Sequence, residues 1–144
     1  MKRSSRTMIA TGLALIATGL TFAVVSQQAR ADVVVIVSAQ SSTAAISVDQ
    51  LSRVYLGKSN TMTPVDIAGP SSARREFYAK VVGKDEGQVM AKRMSLVITG
   101  KGSAPKELAS GADVVKAVAA DPNAIGYVDR SFVNLTVKIV YTVK

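Results

Sequence analysis

Val33-Val34-Val35-Ile36-Val37 is an unbroken run of β-branched residues, and it predicts the fold more clearly than any other stretch of the chain. Such a run is typical of a strand that is buried on both of its faces. Three further strands are predicted at Pro64–Ile67, Ala124–Val128 and Leu135–Tyr141. The last of these alternates apolar and polar residues, which indicates a half-exposed or edge strand.

Four helices are predicted between these strands, and two of them begin with a capping box. Ser47 and Asp85 are each followed by Gln three residues later, so that side chain and backbone can cap each other. The predicted helices run from Ser47 to Gly57, from about Ser71 to Val82, from Asp85 through Met90, Met94, Val97 and Ile98, and from Ser110 or Gly111 to about Asp121. Alternating strands and helices predict one α/β domain with a mainly parallel sheet flanked by helices.

The first thirty-one residues have the layout of a secretory signal peptide. Three basic residues precede an uncharged run at Met8–Val25, and Ala29-Arg30-Ala31 resembles a cleavage site. An uncleaved membrane anchor is the alternative, because about 18 residues approach the length that spans a bilayer. Glycines and threonines make the run weakly hydrophobic, which favours cleavage after Ala31. We therefore expect a periplasmic or secreted domain of residues 32–144, with membrane contact only if the segment stays uncleaved.

The composition excludes several classes of function. The 144 residues include neither Cys nor His, which excludes thiol nucleophiles, disulfides, Cys/His metal centres and triads with an imidazole base. No nucleophile–base pair and no metal-binding set is visible, so we expect neither an enzyme nor a cofactor. Cleavage after Ala31 would remove four basic residues and lower the net charge from +8 to +4. That ordinary balance in an exported protein gives no reason to expect nucleic-acid binding.

The most informative candidate site is the helix start at Gly69-Pro70-Ser71-Ser72-Ala73-Arg74-Arg75-Glu76. A helix start has free N–H groups and a positive dipole end, and it usually carries acidic residues. Here serines and arginines take those positions, and Ser71, Ser72 and Arg74 could together bind an oxyanion. The plainer alternative is that Ser71 or Ser72 caps the helix while both arginines point into water.

Two other polar features have plainer interpretations. Thr99–Ser103 contains Gly-Lys-Gly but is not a P-loop, because Ser95 and Gly102 stand where the motif requires Gly and Ser or Thr. We interpret it as a connector, with Lys101 closing over a ligand as the alternative. Asp66 and Asp129 lie near strand ends, where α/β sheets bind ligands, and we interpret both as solvated loop carboxylates.

The blocks at residues 51–58 and 123–128 together resemble the phosphate-binding proteins of ABC import systems. Leu51-Ser52-Arg53-Val54-Tyr55-Leu56-Gly57-Lys58 is similar to a helix end of that family, and Asn123-Ala124-Ile125-Gly126-Tyr127-Val128 is similar to one of its strands. Gly69-Pro70-Ser71-Ser72 occupies the place of the family's Ser/Gly/Thr-rich helix start. The resemblance implies a type II periplasmic-binding-protein lobe that recognises an oxyanion, most naturally phosphate.

The resemblance also implies a site and partners. Family members bind the anion between two lobes, whereas residues 32–144 supply about one lobe. An ungapped match on Gly69 places Asp66 and Ala68 where the family has Arg and Asp, so those two family residues are absent here. Arg74 or Arg75 could supply positive charge from the helix instead. The ligand residues that the resemblance implies are therefore Ser71, Ser72 and Arg74. The implied function is exported phosphate or oxyanion binding, with an ABC permease or a second copy as partner. The alternative is an exported interaction or structural protein that has lost small-molecule binding.

Overall fold

A five-stranded sheet forms the centre of the computed structural model, which describes residues 32–144. The predicted signal peptide, residues 1–31, lies outside the described residues. The strands are β1 (Val33–Ser38), β2 (Thr63–Ile67), β3 (Lys106–Leu108), β4 (Ala124–Asp129) and β5 (Val137–Thr142). Their order across the sheet is β3-β2-β4-β1-β5, so the first strand of the domain lies between the last two.

The sheet is mixed rather than mainly parallel. β2 pairs in parallel with β3 and β4, whereas β1 pairs antiparallel with β4 and β5. All six residues of β1 are buried, as its β-branched run predicts. An apolar run indicates that both faces of a strand are buried, but it does not indicate whether the neighbouring strands are parallel or antiparallel. The α/β class and the flanking helices are therefore confirmed, and the direction of two pairings is corrected.

β5 is an edge strand, as predicted, but a bulge changes which of its side chains face the core. The two residues that flank Val140 pair with consecutive residues of β1, so Val140 is the extra residue. Its side chain is buried, whereas Ile139 and Tyr141 are only partly buried. The simple alternation expected from Leu135 to Tyr141 is interrupted at this point.

The four predicted helices are present and begin where the capping residues indicate. Ser47 and Asp85 form complete capping boxes with Gln50 and Gln88. The second helix changes after six residues into a π-helical turn, which the sequence pattern did not predict. The helices are α1 (Val48–Tyr55), α2 (Ser72–Phe77) followed by the π-helical turn Tyr78–Val82, α3 (Glu86–Ile98) and α4 (Gly111–Ala120), and a 3-10 turn covers Arg130–Phe132.

The apolar face predicted for α3 is largely exposed. Met90, Met94, Val97 and Ile98 have between 45% and 76% of their surface accessible. The buried residues of α3 are Val89 and Arg93 instead. Helical spacing places the four apolar residues on one face of α3, but it does not show whether that face packs against the core.

β3 was missed because its sequence, Lys-Glu-Leu, has no apolar run. It is a three-residue edge strand in which two residues are exposed, so its backbone pairing with β2 defines it. Within residues 32–144, none of the helices has the length and apolar character needed to span a bilayer.

The two sequence blocks that resemble phosphate-binding proteins have structural roles in this fold. Gly57 ends the turn after α1 with a left-handed φ of 74°, which glycine adopts without strain. A Cβ on Gly126 would lie 2.7 Å from Val114 Cγ1, so this glycine lets α4 pack closely on β4. The Tyr55 hydroxyl donates to the carbonyl of Val65 at 2.9 Å and reaches that of Ile125. These residues therefore hold α1, β2 and β4 together.

Candidate functional site

The start of α2 has the hydrogen-bonding groups expected of an anion site. Ser71 is the N-cap, and its Oγ accepts a hydrogen bond from the backbone N–H of Arg74 at 3.0 Å. The hydroxyl proton of Ser71 remains available for donation. Ser72 is exposed, and the first turn contains no acidic residue. The N–H groups of Ser72 and Ala73 precede the first intrahelical bond and point toward the same end.

Arg74 lies beneath this helix start instead of pointing into water. Its side chain is only 6% exposed, whereas the neighbouring Arg75 is exposed. The Nη1 group donates to the carbonyl of Ile67 at 2.5 Å and to Glu107 at 3.3 Å. It also lies 3.9 Å from the carboxylate of Asp66. Arg74 therefore fastens α2 to the carboxyl end of β2.

One donor atom of the Arg74 side chain differs from the other buried polar atoms in its hydrogen bonding. Arg74 Nε lies 3.4 Å from Glu86 Oε2. It has no hydrogen-bond partner, although every other buried side-chain polar atom in residues 32–144 has one. Buried donors normally have an acceptor. The Nε–H group of Arg74 is an exception to that rule.

Asp66 is the centre of a buried polar cluster, which corrects its interpretation as a solvated loop carboxylate. Its side chain is fully buried. The hydroxyls of Tyr78 and Tyr127 both donate to it, and Arg93 Nη1 donates at 3.0 Å. A buried charge is stable only when it is paired and hydrogen-bonded, and here the partners come from the π-helical turn, β4 and α3.

Arg93 joins α3 to this cluster. Its Nε donates to the carbonyl of Tyr55 at 2.9 Å, and its Nη2 donates to the Tyr78 hydroxyl at 2.6 Å. The guanidinium also lies 5.3 Å from the centre of the Tyr78 ring, within range of a cation–π contact. Because its long side chain crosses to β2, Arg93 anchors a helix whose apolar face is otherwise exposed.

The cluster keeps its tyrosines neutral and Arg74 charged. Burial raises the pKa of Tyr78 and Tyr127 above the usual range of a phenol, and the charge of Asp66 raises it further. The same two causes raise the pKa of Tyr55. Burial lowers the pKa of Arg74, but the combined effects of Asp66, the two tyrosines and a hydrogen bond to Glu107 outweigh this and raise it overall. At neutral pH the tyrosines are therefore hydrogen-bond donors, and Asp66 lies opposite a positive guanidinium.

These two groups of residues have different roles. The buried cluster is nearly closed, because its members mostly satisfy one another and none is more than 5% exposed. Only the outer side of the α2 start, at Ser71 and Ser72, is accessible to a ligand. Residues 32–144 contain no group of three or more Asp or Glu side chains that could hold a metal ion. The arrangement can bind and orient an anion, and it presents no nucleophile–base pair.

The sequence predicted the candidate set Ser71, Ser72 and Arg74 but missed most of the cluster around it. The structure brings all three residues to one helix start, with Arg74 on its inner side. Lys101 does not join them, because it lines a separate cavity that includes none of the three. Tyr78, Tyr127 and Arg93 were not identified as partners of Asp66. The available signal was Asp66 itself, a charged residue between Val65 and Ile67 in a short apolar strand.

The solved structures that match this fold include phosphate ABC transporter substrate-binding proteins, so the resemblance expected from the sequence is confirmed for the fold. One, from Clostridium perfringens, is described as such a protein with bound phosphate; it has a TM-score of 0.58, 21% identity, and coverage of 76% of this chain and 44% of its own. An ABC-type phosphate transport receptor from Vibrio cholerae gives a TM-score of 0.59, 15% identity and coverage of 76% and 45%.

A third match, PstS from Borrelia burgdorferi, has a TM-score of 0.54, 11% identity and coverage of 76% and 46%. The chain therefore spans less than half the length of the solved structures that it matches. No family model and no curated protein sequence matches it. The likeness lies in the fold, because identities this low do not carry a site from one protein to another.

Proposed function

We propose that the protein is an exported oxyanion-binding protein with inorganic phosphate as its ligand, held at the start of α2 by Ser71, Ser72 and Arg74. The observation that carries this proposal is the makeup of that helix start. It has two serine hydroxyls and no acidic residue in its first turn, and a buried guanidinium lies beneath it. The fold it shares with a phosphate-bound solute-binding structure supports the same ligand class.

Each residue has a distinct part in the proposed site. The Ser71 hydroxyl donates to the anion while its oxygen keeps the Arg74 N–H as cap. The exposed Ser72 supplies a second hydroxyl, and the N–H groups of Ser72 and Ala73 complete the set of donors. Arg74 contributes positive charge from below and fixes the position of the helix start through the carbonyl of Ile67. An anion would thus meet preorganised donors, which limits the entropy lost on binding.

The proposal extends to export and to partners. Residues 1–31 direct export, and cleavage after Ala31 releases the domain of residues 32–144. The matched solved structures are more than twice as long as the aligned region, so a second copy of this chain could supply the facing half of a cleft. The alternative partner is an ABC permease, which would receive the bound anion.

Thermal unfolding of the purified protein with and without phosphate tests the ligand. A ligand that binds only the folded state stabilises it by about 2.7 kcal/mol at a concentration one hundred times its Kd. We expect phosphate to raise Tm in a saturable way and chloride at equal ionic strength to leave it unchanged. Sulfate serves as a second oxyanion, and isothermal calorimetry measures the affinity directly.

A pair of serine variants ties the effect to the proposed site. Ser72→Ala removes an exposed hydroxyl at the α2 start and should weaken phosphate binding without changing Tm in its absence. Ser95→Ala, at an exposed position of α3, is the matched control and should bind phosphate like the parent protein. If no oxyanion shifts Tm at millimolar concentration, or if both variants behave alike, the proposed site is wrong.

A further inference from the structure

A second polar cavity lies away from the α2 start, between the turns that end α1 and α3. Its volume is about 500 Å³, within the range of roughly 300–1,000 Å³ typical of small-molecule sites. No acidic residue contributes to its lining. The polar side chains around it are Lys58, Ser59, Asn60, Thr63, Lys101 and Ser103.

The two turns that carry the lysines are built alike and are fixed against each other. Gly57 and Gly100 both have left-handed φ angles, 74° and 67°, and each is followed by a lysine. A Cβ on Gly102 would lie 3.1 Å from the carbonyl oxygen of Gly57, so the turns are in close contact. The backbone positions of Lys58 and Lys101 are therefore set by packing.

The lysine side chains are not needed to cap the helix ends. The N–H of Lys58 donates to the carbonyl of Arg53 at 2.8 Å, and the N–H of Lys101 donates to that of Leu96 at 2.9 Å. Gly57 and Gly100 satisfy further carbonyls of the last turns. Backbone groups thus take up the acceptors that a lysine at a helix C-terminus otherwise binds.

The charge at this cavity is positive and uncompensated. Among residues 32–144, the ion pairs involve Arg53, Arg74, Lys80, Arg93 and Arg130, and neither Lys58 nor Lys101 takes part. Each helix C-terminus contributes about half a negative charge, so two ammonium groups leave an excess of positive charge. Hydroxyl and amide side chains beside that excess are the groups that recognise phosphoryl oxygens.

We propose that this cavity binds a small ligand bearing a phosphate group, through the ammonium groups of Lys58 and Lys101 and the hydroxyls of Ser59 and Ser103. The ligand is either free phosphate or a small phosphomonoester, since both present the same oxygens. This site is separate from the one proposed at Ser71 and Ser72, and it does not depend on that proposal.

Amide chemical-shift titration of the purified, nitrogen-15-labelled protein locates binding directly. The probes are inorganic phosphate and glycerol phosphate, with chloride at matched ionic strength as reference. We expect saturable shifts at the amides of Lys58, Ser59, Lys101 and Gly102. Saturation by phosphate alone identifies the free anion as the ligand, and tighter saturation by glycerol phosphate identifies a phosphomonoester.

Lysine variants supply the decisive comparison. Lys58→Met combined with Lys101→Met should weaken binding by at least about tenfold, because two charge-assisted contacts are lost. Lys92→Met, on an exposed part of α3, is the control and should leave the affinity unchanged. Since both cavity lysines are exposed, the variants should fold, and Lys101→Arg should retain binding.

Four results would overturn this inference. Three are shifts that do not saturate, shifts of equal size with chloride, and equal affinity in the double variant and the Lys92→Met control. Saturable shifts confined to residues 71–74 would support the proposed function while contradicting this site. Shifts confined to residues 57–60 and 100–103 would do the reverse.

Discussion

Asp66 joins more separate parts of the chain than any other single side chain in the candidate site. Its carboxylate accepts hydrogen bonds from Tyr78, Tyr127 and Arg93, which lie on the π-helical turn, β4 and α3. A buried ion pair adds little net stability compared with apolar packing, but the removal of one partner leaves the other charge buried and unpaired. The cost of changing Asp66 should therefore be large.

Asp66→Asn tests this at the residue scale. The substitution keeps the size of the side chain and removes its charge, so Arg93 and Arg74 lose their buried counterion. We expect the free energy of unfolding, measured in urea, to fall by about 3 kcal/mol.

Asp49→Asn is the matched control for this change. Asp49 also pairs with an arginine, Arg53, at 2.9 Å, but the two side chains are 74% and 64% exposed. Exposed pairs of this kind contribute about 0.5 kcal/mol or less. Equal effects of the two substitutions would show that Asp66 is not the buried centre described above.

The three buried tyrosines give a second prediction, for alkaline pH. Their pKa values are raised in the folded protein, first by burial and then by Asp66, so the unfolded chain releases their protons at lower pH. The stability they confer is complete below the ordinary tyrosine pKa of about 10 and is lost as the pH rises above it. Each tyrosine that remains protonated only in the folded state lowers stability by about 1.4 kcal/mol per pH unit there.

Spectrophotometric titration checks the tyrosine prediction. Three of the four tyrosines of the chain are in the core, so most phenolate absorbance should appear together with the loss of near-ultraviolet circular dichroism. Stepwise ionisation of all four tyrosines in a still-folded protein would contradict it.

Sequence reasoning at this scale predicted the helix start at Ser71 and Ser72, and it missed the buried environment of Asp66 and Arg74. Ser71 and Ser72 could be placed because capping is a local property of the chain. The local sequence around Asp66 and Arg74 is compatible with exposed side chains. Tertiary contacts bury them instead, Asp66 with Tyr127 and Arg74 with Glu107. No local pattern reports a partner 61 residues away.

At the scale of secondary-structure elements, α3 differs most from its predicted role. Its buried contacts come from Val89 and Arg93, and its methionines are exposed. The helix is held to the core by the short apolar side chain of Val89 and the long polar side chain of Arg93. Substitutions on its two faces should therefore have unequal effects on stability, large on the buried face and small on the exposed one.

Val89→Ala and Met94→Ala form a matched pair on this helix. Val89 is 1% exposed, and its truncation should cost about 2 kcal/mol of unfolding free energy from lost burial and a new cavity. Met94 is 52% exposed, and its truncation should change stability by less than about 0.5 kcal/mol. Thermal or urea unfolding measures both, and a larger cost for Met94→Ala would mean that α3 is turned the other way.

Most element boundaries followed from local signals, and the exceptions have physical causes. Ser47, Asp85 and Ser110 mark helix starts because their side chains accept backbone N–H groups nearby. β3 and the π-helical turn have no such signals, since each is defined by backbone pairing within the folded chain. The bulge at Val140 was equally invisible, because it depends on the register with β1.

At the scale of the whole molecule, the order of apolar runs and helix starts was enough to predict an α/β domain. It did not predict the mixed sheet, because pairing direction is a property of the connections and not of composition. The resemblance to phosphate-binding proteins correctly indicated the fold. The blocks that carry it are centred on the packing residues Tyr55 and Gly126, which explains how they indicate a fold without containing Ser71, Ser72 or Arg74.

Processing of the N-terminus is a prediction for the whole chain. We expect the mature protein to begin at Asp32, with the basic residues of the first segment removed. Mass spectrometry of the intact protein from the envelope fraction measures this. An uncleaved chain recovered with membranes would favour an anchored form, and Ala31→Lys should block cleavage because a large charged residue cannot occupy that position.

The place of β1 in the sheet has a consequence for the timing of folding. β1 is the first strand of the domain, yet its neighbours are the last two, with Val33 beside Asp129 and Val34 beside Thr142. Contacts of such long range form slowly, because the loop between them must close first. The apolar leading strand stays without partners until nearly the whole domain has been synthesised. A chain of this topology remains open while it emerges, and the proposed export before folding would require such an open chain.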